Sequence, residues 1–315
     1  MDLLLAAPRG FCAGVVRAVD IVDRALEMYG APVYVKHEIV HNRQVVERLK
    51  AKGAVFVEDL AEVPAGARLI FSAHGVPPSD RAAAEARGLR VIDATCPLVT
   101  KVHLEAVRFA RQGYYVVYIG HRNHPEPVGT LGEIGPDQGV LIESAEEVDG
   151  LVVPDPEKIM VLTQTTLSVD DTREIMARLR ARFPNLKTPP TDDICYATTN
   201  RQAAVKELAR ACDLVLVIGS RTSSNSKRLV EVARAAGARS ELLEAPELID
   251  PAWLEGIATV GLSSGASAPE DLVEATVERL HALGVRSVRE VHTVEEDMFF
   301  PLPKELRSPL PVGEG

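Results

Sequence analysis

The sequence predicts an α/β fold in which short parallel strands alternate with amphipathic helices. Short β-branched or leucine-rich runs recur along the chain, each ends in small polar residues, and each is followed by a helical pattern. Continuous apolar strands separated by helices are typical of parallel sheets that are covered on both faces. In such sheets ligands bind beyond the carboxyl ends of the strands, so the residues after each run are the candidates for function.

The elements follow from the spacing of the apolar residues. The predicted strands, in chain order, are 3–5, 33–35, 69–71, 91–92, 116–119, 161–162, 214–218 and 259–262. Helices are predicted where apolar residues recur at three- and four-residue intervals, as at Val15, Val19 and Val22. The clearest predicted helices are 14–28, 99–111, 169–182, 201–211, 226–236 and 270–283.

Composition narrows the class of protein. The chain has 315 residues, of which 46% are hydrophobic and 25% charged, and its formal net charge is −10. No apolar run approaches the roughly 18 residues of a membrane span, and the N-terminal residues lack a secretory pattern. Four cysteines are too few for a disulfide framework, and the acidity disfavours a surface for duplex nucleic acid. These features predict a cytoplasmic protein with no membrane or nucleic-acid partner.

Polar and reactive side chains concentrate at the predicted strand ends, and their spacing repeats three times. Each repeat begins with a cysteine before a helix, and these are Cys12, Cys96 and Cys195. The polar residues after the next strand, 29, 28 and 28 residues later, are His41, His124 and Ser223. The polar residues at a second strand end are His74, Thr165 and Ser267. A repeat of this length indicates small α/β domains rather than solenoid units.

The repeat predicts three domains whose strand ends meet, so that each contributes one cysteine to a common centre. The predicted domains are 14–95, 96–192 and 193–290, followed by a C-terminal tail at 291–315. The N-terminal strand within 1–13 has no domain of its own and is predicted to complete the sheet of the third. The prolines after residue 300 predict a tail that packs first and frays at its end.

Three cysteines at helix N-termini suit a metal centre, because the helix dipole favours the thiolate form that binds metals. Zinc is one candidate occupant, although structural zinc sites usually contain a C-x2–4-C pair, which this sequence lacks. An iron–sulfur cluster with three cysteine ligands is the other, and it leaves one iron open to substrate. Cys212 lacks the repeat spacing and is predicted to lie in the core, which is the alternative reading for the other three as well.

The remaining polar residues at the strand ends predict a pocket for phosphate groups. They are His41, His74, His124, Ser223, Ser224, Asn225 and Ser267. With the backbone amides of helix starts they would supply hydrogen-bond donors, whereas the sequence contains neither of the glycine-rich loops of classical nucleotide sites. Glu126 is the one carboxylate in the HPE segment and is the candidate for proton transfer, with a solvated or helix-capping role as the alternative.

Together these motifs resemble the 4-hydroxy-3-methylbut-2-enyl diphosphate reductase family. The resemblance is carried from about residue 1 to 307 by PRGFCAGV, HEIVHN, FSAHGV, DATCPLVTKVH, HRNHPE, TQTTLSVDDT, DDICYATTNRQ, GSRTSSNS and GASAP. It implies three α/β domains in a pseudo-threefold arrangement around one 4Fe–4S cluster held by Cys12, Cys96 and Cys195. Asn123 stands where the family's GHAGHPE motif has its middle glycine, and Pro127 follows HPE. Both departures affect the shape of this loop and leave its functional side chains in place.

The resemblance also implies the reaction. An allylic diphosphate would lose its hydroxyl group through two one-electron transfers from the cluster, giving isopentenyl and dimethylallyl diphosphate. Glu126 would deliver protons with His124 and Thr165, and Thr165 would lie near the substrate hydroxyl. The diphosphate would be held by the residues of the predicted phosphate pocket. A monomer supplied with electrons by a ferredoxin or flavodoxin fits the family, and the arginines of 173–182 are either a docking patch for that donor or a solvated helix face.

Apart from the family resemblance, the residues themselves allow three alternative functions. Three cysteines could hold zinc in a hydrolase of phosphorylated substrates, with a metal-bound water as nucleophile. A cluster could instead serve a non-catalytic sensor of oxygen or iron. The chain could also be a structural α/β protein without a metal.

Overall fold

The computed structural model describes residues 1–307, which contain twelve strands and ten α-helices. The strands are β1 (Asp2–Ala7), β2 (Val33–Lys36), β3 (Ala54–Val57), β4 (Arg68–Phe71), β5 (Arg90–Asp93), β6 (Tyr115–Ile119), β7 (Gly139–Ile142), β8 (Ile159–Thr163), β9 (Leu214–Ile218), β10 (Arg239–Leu243), β11 (Thr259–Ser264) and β12 (Ser287–His292). The helices are α1 (Ala13–Tyr29), α2 (Arg43–Ala51), α3 (Pro78–Ala86), α4 (Pro97–Arg111), α5 (Pro125–Gly132), α6 (Glu147–Gly150), α7 (Val169–Arg182), α8 (Tyr196–Ala211), α9 (Ser224–Ala235) and α10 (Glu270–Ala282).

The strands form three parallel sheets, which confirms the predicted α/β class. Their strand orders are β10-β9-β11-β1-β12, β3-β2-β4-β5 and β7-β6-β8. One arrangement of three consecutive strands occurs in each sheet: the first strand in the chain lies in the middle, with the second on one side and the third on the other. The three copies are β3-β2-β4, β7-β6-β8 and β10-β9-β11. The threefold repeat of the sequence is therefore a repeat of topology.

Four strands, β3, β7, β10 and β12, were missing from the prediction, and each lies at the edge of its sheet. Charged residues interrupt the apolar pattern within β10 and β12, whereas β3 and β7 have only short apolar runs. In β12 the burial pattern is exposed at five of six positions, whereas every residue of the central strand β9 is buried.

The chain divides into two compact units. The first consists of Met1–Ala13, His41–Val45 and Cys195–Phe299 and contains the five-stranded sheet. Among the described residues, the second consists of Gly14–Val40, Val46–Ile194 and 300–307, and it contains the four- and three-stranded sheets. The division into three domains at 14–95, 96–192 and 193–290 stays a prediction.

In the first unit β1 lies between β11 and β12. Residues 1–13 were predicted to join this sheet. Asp2 pairs in register with Thr259 on one side and with Ser287 on the other. Because β12 ends at His292, the first two residues of the predicted 291–315 tail belong to this sheet. The part of the tail from residue 308 on lies outside the described residues.

Both faces of the five-stranded sheet are covered. Leu214 and Leu216 of β9 pack in a cluster that contains Leu272 of α10, while Val215 packs on the other face in a cluster that contains Val205 of α8. Alternate residues of one strand are therefore buried on opposite sides, as the continuous apolar run predicts. Cys212 belongs to the second of these clusters, which confirms its assignment to the core.

In the second unit, the middle strand of the three-stranded sheet shows the same two-sided packing. Val117 and Ile119 of β6 lie in a cluster with residues of α7, and Val116 and Tyr118 lie in a cluster with residues of α4. This packing anchors α4, which begins after Cys96, directly beneath β6, which leads to His124. Within residues 1–307 the longest helices are too short or too polar to span a bilayer.

Candidate active site

Each of the three repeat cysteines lies at the start of a helix, as predicted. Cys12 directly precedes α1, and Cys96 and Cys195 are the N-cap residues of α4 and α8. All three are partly buried thiols rather than halves of a disulfide. Cys12 and Cys96 follow strands, but Cys195 does not. It ends an irregular segment after α7 whose only strand-like feature in the described residues is a bridge between Lys187 and Met160.

In the first unit, the loop that leads to Cys12 is held by a fully buried arginine. Arg201 of α8 is 0% exposed, and its guanidinium donates to the carbonyl of Gly10 at 2.8 Å and to Glu296 at 3.0 Å. The amide of Gly10 donates to Ser264 Oγ at 2.8 Å. These bonds satisfy both polar groups of Gly10, two residues before Cys12.

The segments around Cys12 and Cys195 are joined in the same unit. The amide of Ala13 donates to the hydroxyl of Tyr196 at 3.1 Å, so the residues that follow the two cysteines are in contact. Burial raises the pKa of Tyr196 to about 12, and the nearby Cys12 adds to that shift. Cys195 Sγ lies 3.2 Å from Thr198 Oγ1, a polar contact that orients the thiol at the first turn of α8.

The predicted phosphate ligands of the first unit form one hydrogen-bonded group. Ser223 caps α9, its Oγ accepting from the amide of Ser226 at 3.2 Å. Asn225 Oδ1 accepts from the amide of Ala266 at 2.9 Å, and the neighbouring Ser267 Oγ donates to the carbonyl of His41 at 2.9 Å. The backbone around residues 266 and 267 thus brings the start of α9 together with His41.

Two donors in this group have no partner in the described residues. Ser224 Oγ and Asn225 Nδ2 are both buried without a hydrogen bond. Since the Asn225 carbonyl oxygen is already bonded, its NH2 group is the end that is left over. An unmade hydrogen bond of a buried polar group costs about 1–3 kcal/mol, so these donors at a helix N-terminus suit an anionic ligand.

In the second unit, Cys96 is hydrogen-bonded to the segment that carries His74. The amide of Cys96 donates to the carbonyl of Ala73 at 2.9 Å. The carbonyl of Thr95 accepts from Arg17 Nη1 at 3.0 Å, which fixes the backbone on the other side of the cysteine.

His74 and His124 are in ring contact. The edge of one ring meets the face of the other, with centroids 5.7 Å apart. His124 is also the N-cap of α5, and its Nδ1 accepts from the amide of Glu126 at 3.2 Å. A neutral ring that accepts at Nδ1 carries its proton on Nε2, so His124 presents an N–H donor on the side away from the helix.

Glu126 is a buried carboxylate that Thr165 holds with two hydrogen bonds. Oε2 accepts from the amide of Thr165 and Oε1 from its hydroxyl, each at 2.9 Å, while only 3% of the glutamate is exposed. Burial raises the pKa of the neighbouring Tyr118 well above its ordinary value, and the charge of Glu126 contributes to the shift. The four predicted residues His74, His124, Glu126 and Thr165 thus form one continuous chain of contacts.

A pair of carboxyl groups joins the helix that follows Cys96 to the segment that precedes Cys195. Glu105 of α4 lies beside Asp193, and Lys101 Nζ donates to Asp193 Oδ1 at 3.0 Å. Burial raises the pKa of Glu105 to about 7, and the charge of Asp193 raises it further than Lys101 lowers it. Lys101 also donates to the carbonyl of Thr191 at 2.8 Å. Through these two hydrogen bonds Lys101 connects α4 to the segment before Cys195.

The predicted site residues thus form two groups, one in each unit. The group of the first unit contains Cys12, Cys195, His41, Ser223, Ser224, Asn225 and Ser267. The group of the second contains Cys96, His74, His124, Glu126 and Thr165. Across residues 1–307 no three His, Cys, Asp or Glu side chains lie close enough together to hold a single metal ion.

Two residues that support these groups, Arg201 and His103, were not predicted from the sequence. Arg201 shares the apolar stripe of α8 with Val205 and Leu208, both fully buried. A charged residue on such a stripe is rarely buried without a partner. Its position among apolar residues was therefore the feature of the sequence that could have indicated a supporting role. His103 carries the same signal in α4, where it is 5% exposed between the buried Val102 and Ala106.

Comparison with known proteins finds close relatives over nearly the whole chain. The family model described as LytB protein matches residues 3–281. The 4-hydroxy-3-methylbut-2-enyl diphosphate reductase of Mycolicibacterium paratuberculosis is 59% identical over 307 residues, covering 97% of this chain and 92% of the relative. The enzyme of the same name from Aromatoleum aromaticum is 57% identical over 308 residues, covering 98% of each.

Two solved structures are similar as well. The E-1-hydroxy-2-methyl-but-2-enyl-4-diphosphate reductase from Plasmodium falciparum superposes with a TM-score of 0.92 at 40% identity, covering 97% of this chain and 96% of that one. A second structure is described as (E)-4-hydroxy-3-methyl-but-2-enyl diphosphate reductase, the terminal enzyme of the non-mevalonate pathway. It superposes with a TM-score of 0.63 at 34% identity, covering 90% of this chain and 100% of that one.

Proposed function

The chain belongs to the LytB protein family, and we propose that it reduces (E)-4-hydroxy-3-methylbut-2-enyl diphosphate to isopentenyl and dimethylallyl diphosphate. The reaction consumes two electrons and two protons. The allylic C–O bond breaks, the hydroxyl group leaves as water, and a hydrogen is added at one end or the other of the allyl group. We assign the chain the terminal step of the non-mevalonate pathway, the place that the description of its structural relative states.

Cys12, Cys96 and Cys195 are the proposed ligands of one 4Fe–4S cluster. The donor set fits, because three thiols at helix starts match the preference of these clusters for cysteine thiolates. The cysteines of a cluster bind different irons, so they need not converge as the ligands of a single ion do. When bound, the cluster supplies electrons one at a time and an open iron that acts as a Lewis acid on the substrate hydroxyl.

Glu126 is the proposed proton donor, and its contacts with Thr165 and His124 are the observation that carries the proposed function. A carboxyl group that is 3% exposed and held at both oxygens cannot rotate away from the reacting group. The Thr165 hydroxyl, bonded to Oε1, is placed to pass a proton between Glu126 and a substrate hydroxyl. His124 adds an N–H donor next to this pair, which favours departure of the hydroxyl group as water.

The proposed diphosphate ligands are neutral donors rather than a cluster of lysines and arginines. In the first unit they are His41, Ser223, Ser224, Asn225 and Ser267, and in the second they are His74 and His124. The unpartnered donors of Ser224 and Asn225 support this role, as does the helix N-terminus on which they lie. Binding through such groups is compatible with a chain whose net charge is −10.

Reduction requires an electron donor of low potential, and a ferredoxin or flavodoxin is proposed. The arginines of α7 give little support to a docking patch there. Arg173 is paired with Asp170, and Arg182 donates to the carbonyl of Leu151 at 2.6 Å, which favours a structural role for this helix face. The monomeric state and cytoplasmic location stay predictions.

Anaerobic turnover tests the proposed function. The purified protein is incubated with reduced methyl viologen and the substrate, and the products are separated by chromatography. We expect both isopentenyl and dimethylallyl diphosphate to form. A colourless protein that contains zinc and releases phosphate from the substrate would overturn the proposal.

A further inference from the structure

His103 is a buried histidine of α4 to which the proposed reaction assigns no role. Its side chain is 6% exposed, and its Nδ1 lies 2.9 Å from Glu133 Oε1. The same carboxylate oxygen accepts from Arg81 Nη1 at 2.6 Å. A carboxylate has no proton to donate, so Nδ1 carries the proton of the ring and Nε2 is an acceptor. Three helices, α3, α4 and α5, therefore meet at the Glu133 carboxylate, which follows the last residue of α5.

Burial, rather than the charges around the ring, favours the neutral form of His103. Burial lowers the pKa of His103, and Arg81 lowers it further, against the opposing effects of Glu133 and Asp93. Glu133 itself loses solvation on burial, but the hydrogen bonds from His103 and Arg81 bring its pKa below the ordinary value. The carboxylate and the neutral ring are thus the stable combination.

The far edge of the His103 ring lies against two glycines, Gly75 in the loop after β4 and Gly129 in α5. A Cβ built on Gly75 would lie 3.1 Å from Nε2, and one built on Gly129 would lie 3.0 Å from Cε1. Both distances are shorter than an ordinary contact of about 3.5–4 Å between heavy atoms. The ring therefore occupies the space that a side chain at either position would need.

These two glycines adjoin the proposed catalytic groups. Gly75 directly follows His74, and Gly129 lies three residues after Glu126, on the same side of α5. The rings of His74 and His124 are themselves in contact, with centroids 5.7 Å apart. A shift of the His103 ring would move the His74 segment relative to the helix that carries Glu126.

Filling space does not account for a histidine at this position. Within the described residues, Nε2 of His103 is buried without a hydrogen-bond partner. A buried acceptor of this kind costs about 1–3 kcal/mol, so an apolar side chain would pack there at lower cost. What the histidine adds is a flat, rigid ring whose orientation is set at the opposite edge by Glu133.

We propose that His103 is a positioning residue whose ring, oriented by Glu133 and Arg81, sets the spacing between His74 and Glu126. The inference rests on the proposed function, because it assumes that both residues act on the same substrate. Misplacement of reacting groups by about 1 Å costs on the order of a hundredfold in rate. Loss of this positioning is therefore expected to lower kcat.

A double-mutant cycle on the holoenzyme tests the positioning role of His103. His103→Asn keeps an amide nitrogen where Nδ1 donates to Glu133 but removes the ring edge, and Gly129→Ala adds a methyl group in contact with that edge. We expect each single variant to lower kcat about tenfold or more, with a smaller change in KM. We expect the double variant to be faster than either single variant, because the methyl group occupies space that the ring has left. Gly150→Ala is the matched control and should match wild type, since a Cβ there has nothing within 4 Å.

Either of two results would overturn the inference: kcat within about twofold of wild type in both single variants, or a double variant whose loss is the product of the two single losses. Circular dichroism and iron content show whether each variant is folded and loaded. If a variant does not fold, the tautomer of the His103 ring is measured instead, from the 15N chemical shifts of the histidine rings in the oxidised wild-type protein. An Nδ1–H neutral ring at pH 7 supports the inference, and an imidazolium or an Nε2–H ring contradicts it. A wild-type protein that does not reduce the substrate would instead defeat the proposed function.

Discussion

Replacing Glu126 by glutamine removes the proposed proton donor while keeping its shape. The carboxylate is held by the amide and the hydroxyl of Thr165, each at 2.9 Å. A glutamine can keep the bond from the Thr165 amide through its carbonyl oxygen. Its NH2 group then faces the Thr165 hydroxyl, which can turn to accept. The substitution should therefore leave the local structure in place.

The expected effects on stability and on rate differ greatly in size. Exchanging two charge-assisted hydrogen bonds for neutral ones costs about 1 kcal/mol each, and relief from burying a charge offsets part of this. Loss of a general acid lowers kcat by about 10²–10⁴-fold, which corresponds to about 3–5 kcal/mol in activation free energy. We expect KM to change little, because Glu126 is not among the proposed diphosphate ligands.

The assay follows oxidation of reduced methyl viologen by the substrate under anaerobic conditions, with kcat and KM determined separately. Glu174→Gln, an exposed glutamate of α7, is the matched control and should retain wild-type kinetics. Iron content and the thermal unfolding midpoint of Glu126→Gln should stay close to wild type. A Glu126→Gln variant with kcat within about threefold of wild type would refute the assignment of proton transfer to this residue.

Three further predictions concern the cluster, a buried ion pair and a carboxyl pair. Cys96→Ser should lower the iron content well below about four per chain, whereas Cys212→Ala should keep it, as measured by iron analysis of anaerobic preparations. Arg201→Met should destabilise the chain by about 3–5 kcal/mol in urea unfolding, because it leaves Glu296 and two backbone carbonyls without their buried partner; an unchanged midpoint would contradict this. The pKa of Glu105 is raised from 4.5 to about 7 in the folded chain, so the folded chain holds more protons than the unfolded chain between these values and stability is lost as pH rises through this window. Glu105→Gln should therefore raise the melting temperature more at pH 8 than at pH 5, and an equal change at both would argue against the raised pKa.

The repeat in the sequence predicted much of the local structure because its signals are local. A helix start needs only a few neighbouring residues, so the positions of Cys96 and Cys195 before helices could be read from the chain itself. The central strands were equally legible, since burial on both faces leaves a continuous apolar run such as Leu214–Ile218. All four unpredicted strands are edge strands; charged residues interrupt the apolar pattern in β10 and β12, and the apolar runs of β3 and β7 are short.

The supporting residues of the site could not be predicted in this way, because their partners are distant in sequence. Arg201 meets the carbonyl of Gly10, which is 191 positions away. His103 meets Glu133 across 30 positions, and its contacts with Gly75 and Gly129 depend on how α4 packs against α5 and against the loop after β4. Periodicity places such residues on a buried stripe, but only the fold shows what they hold.

The stoichiometry of turnover tests the central claim most directly. The purified protein is supplied with a measured amount of reduced methyl viologen, a one-electron donor, and the consumption of substrate is measured in the same vessel. We predict two viologens oxidised for each (E)-4-hydroxy-3-methylbut-2-enyl diphosphate consumed, with isopentenyl and dimethylallyl diphosphate as the products. Substrate loss without viologen oxidation, accompanied by release of phosphate, would contradict the account.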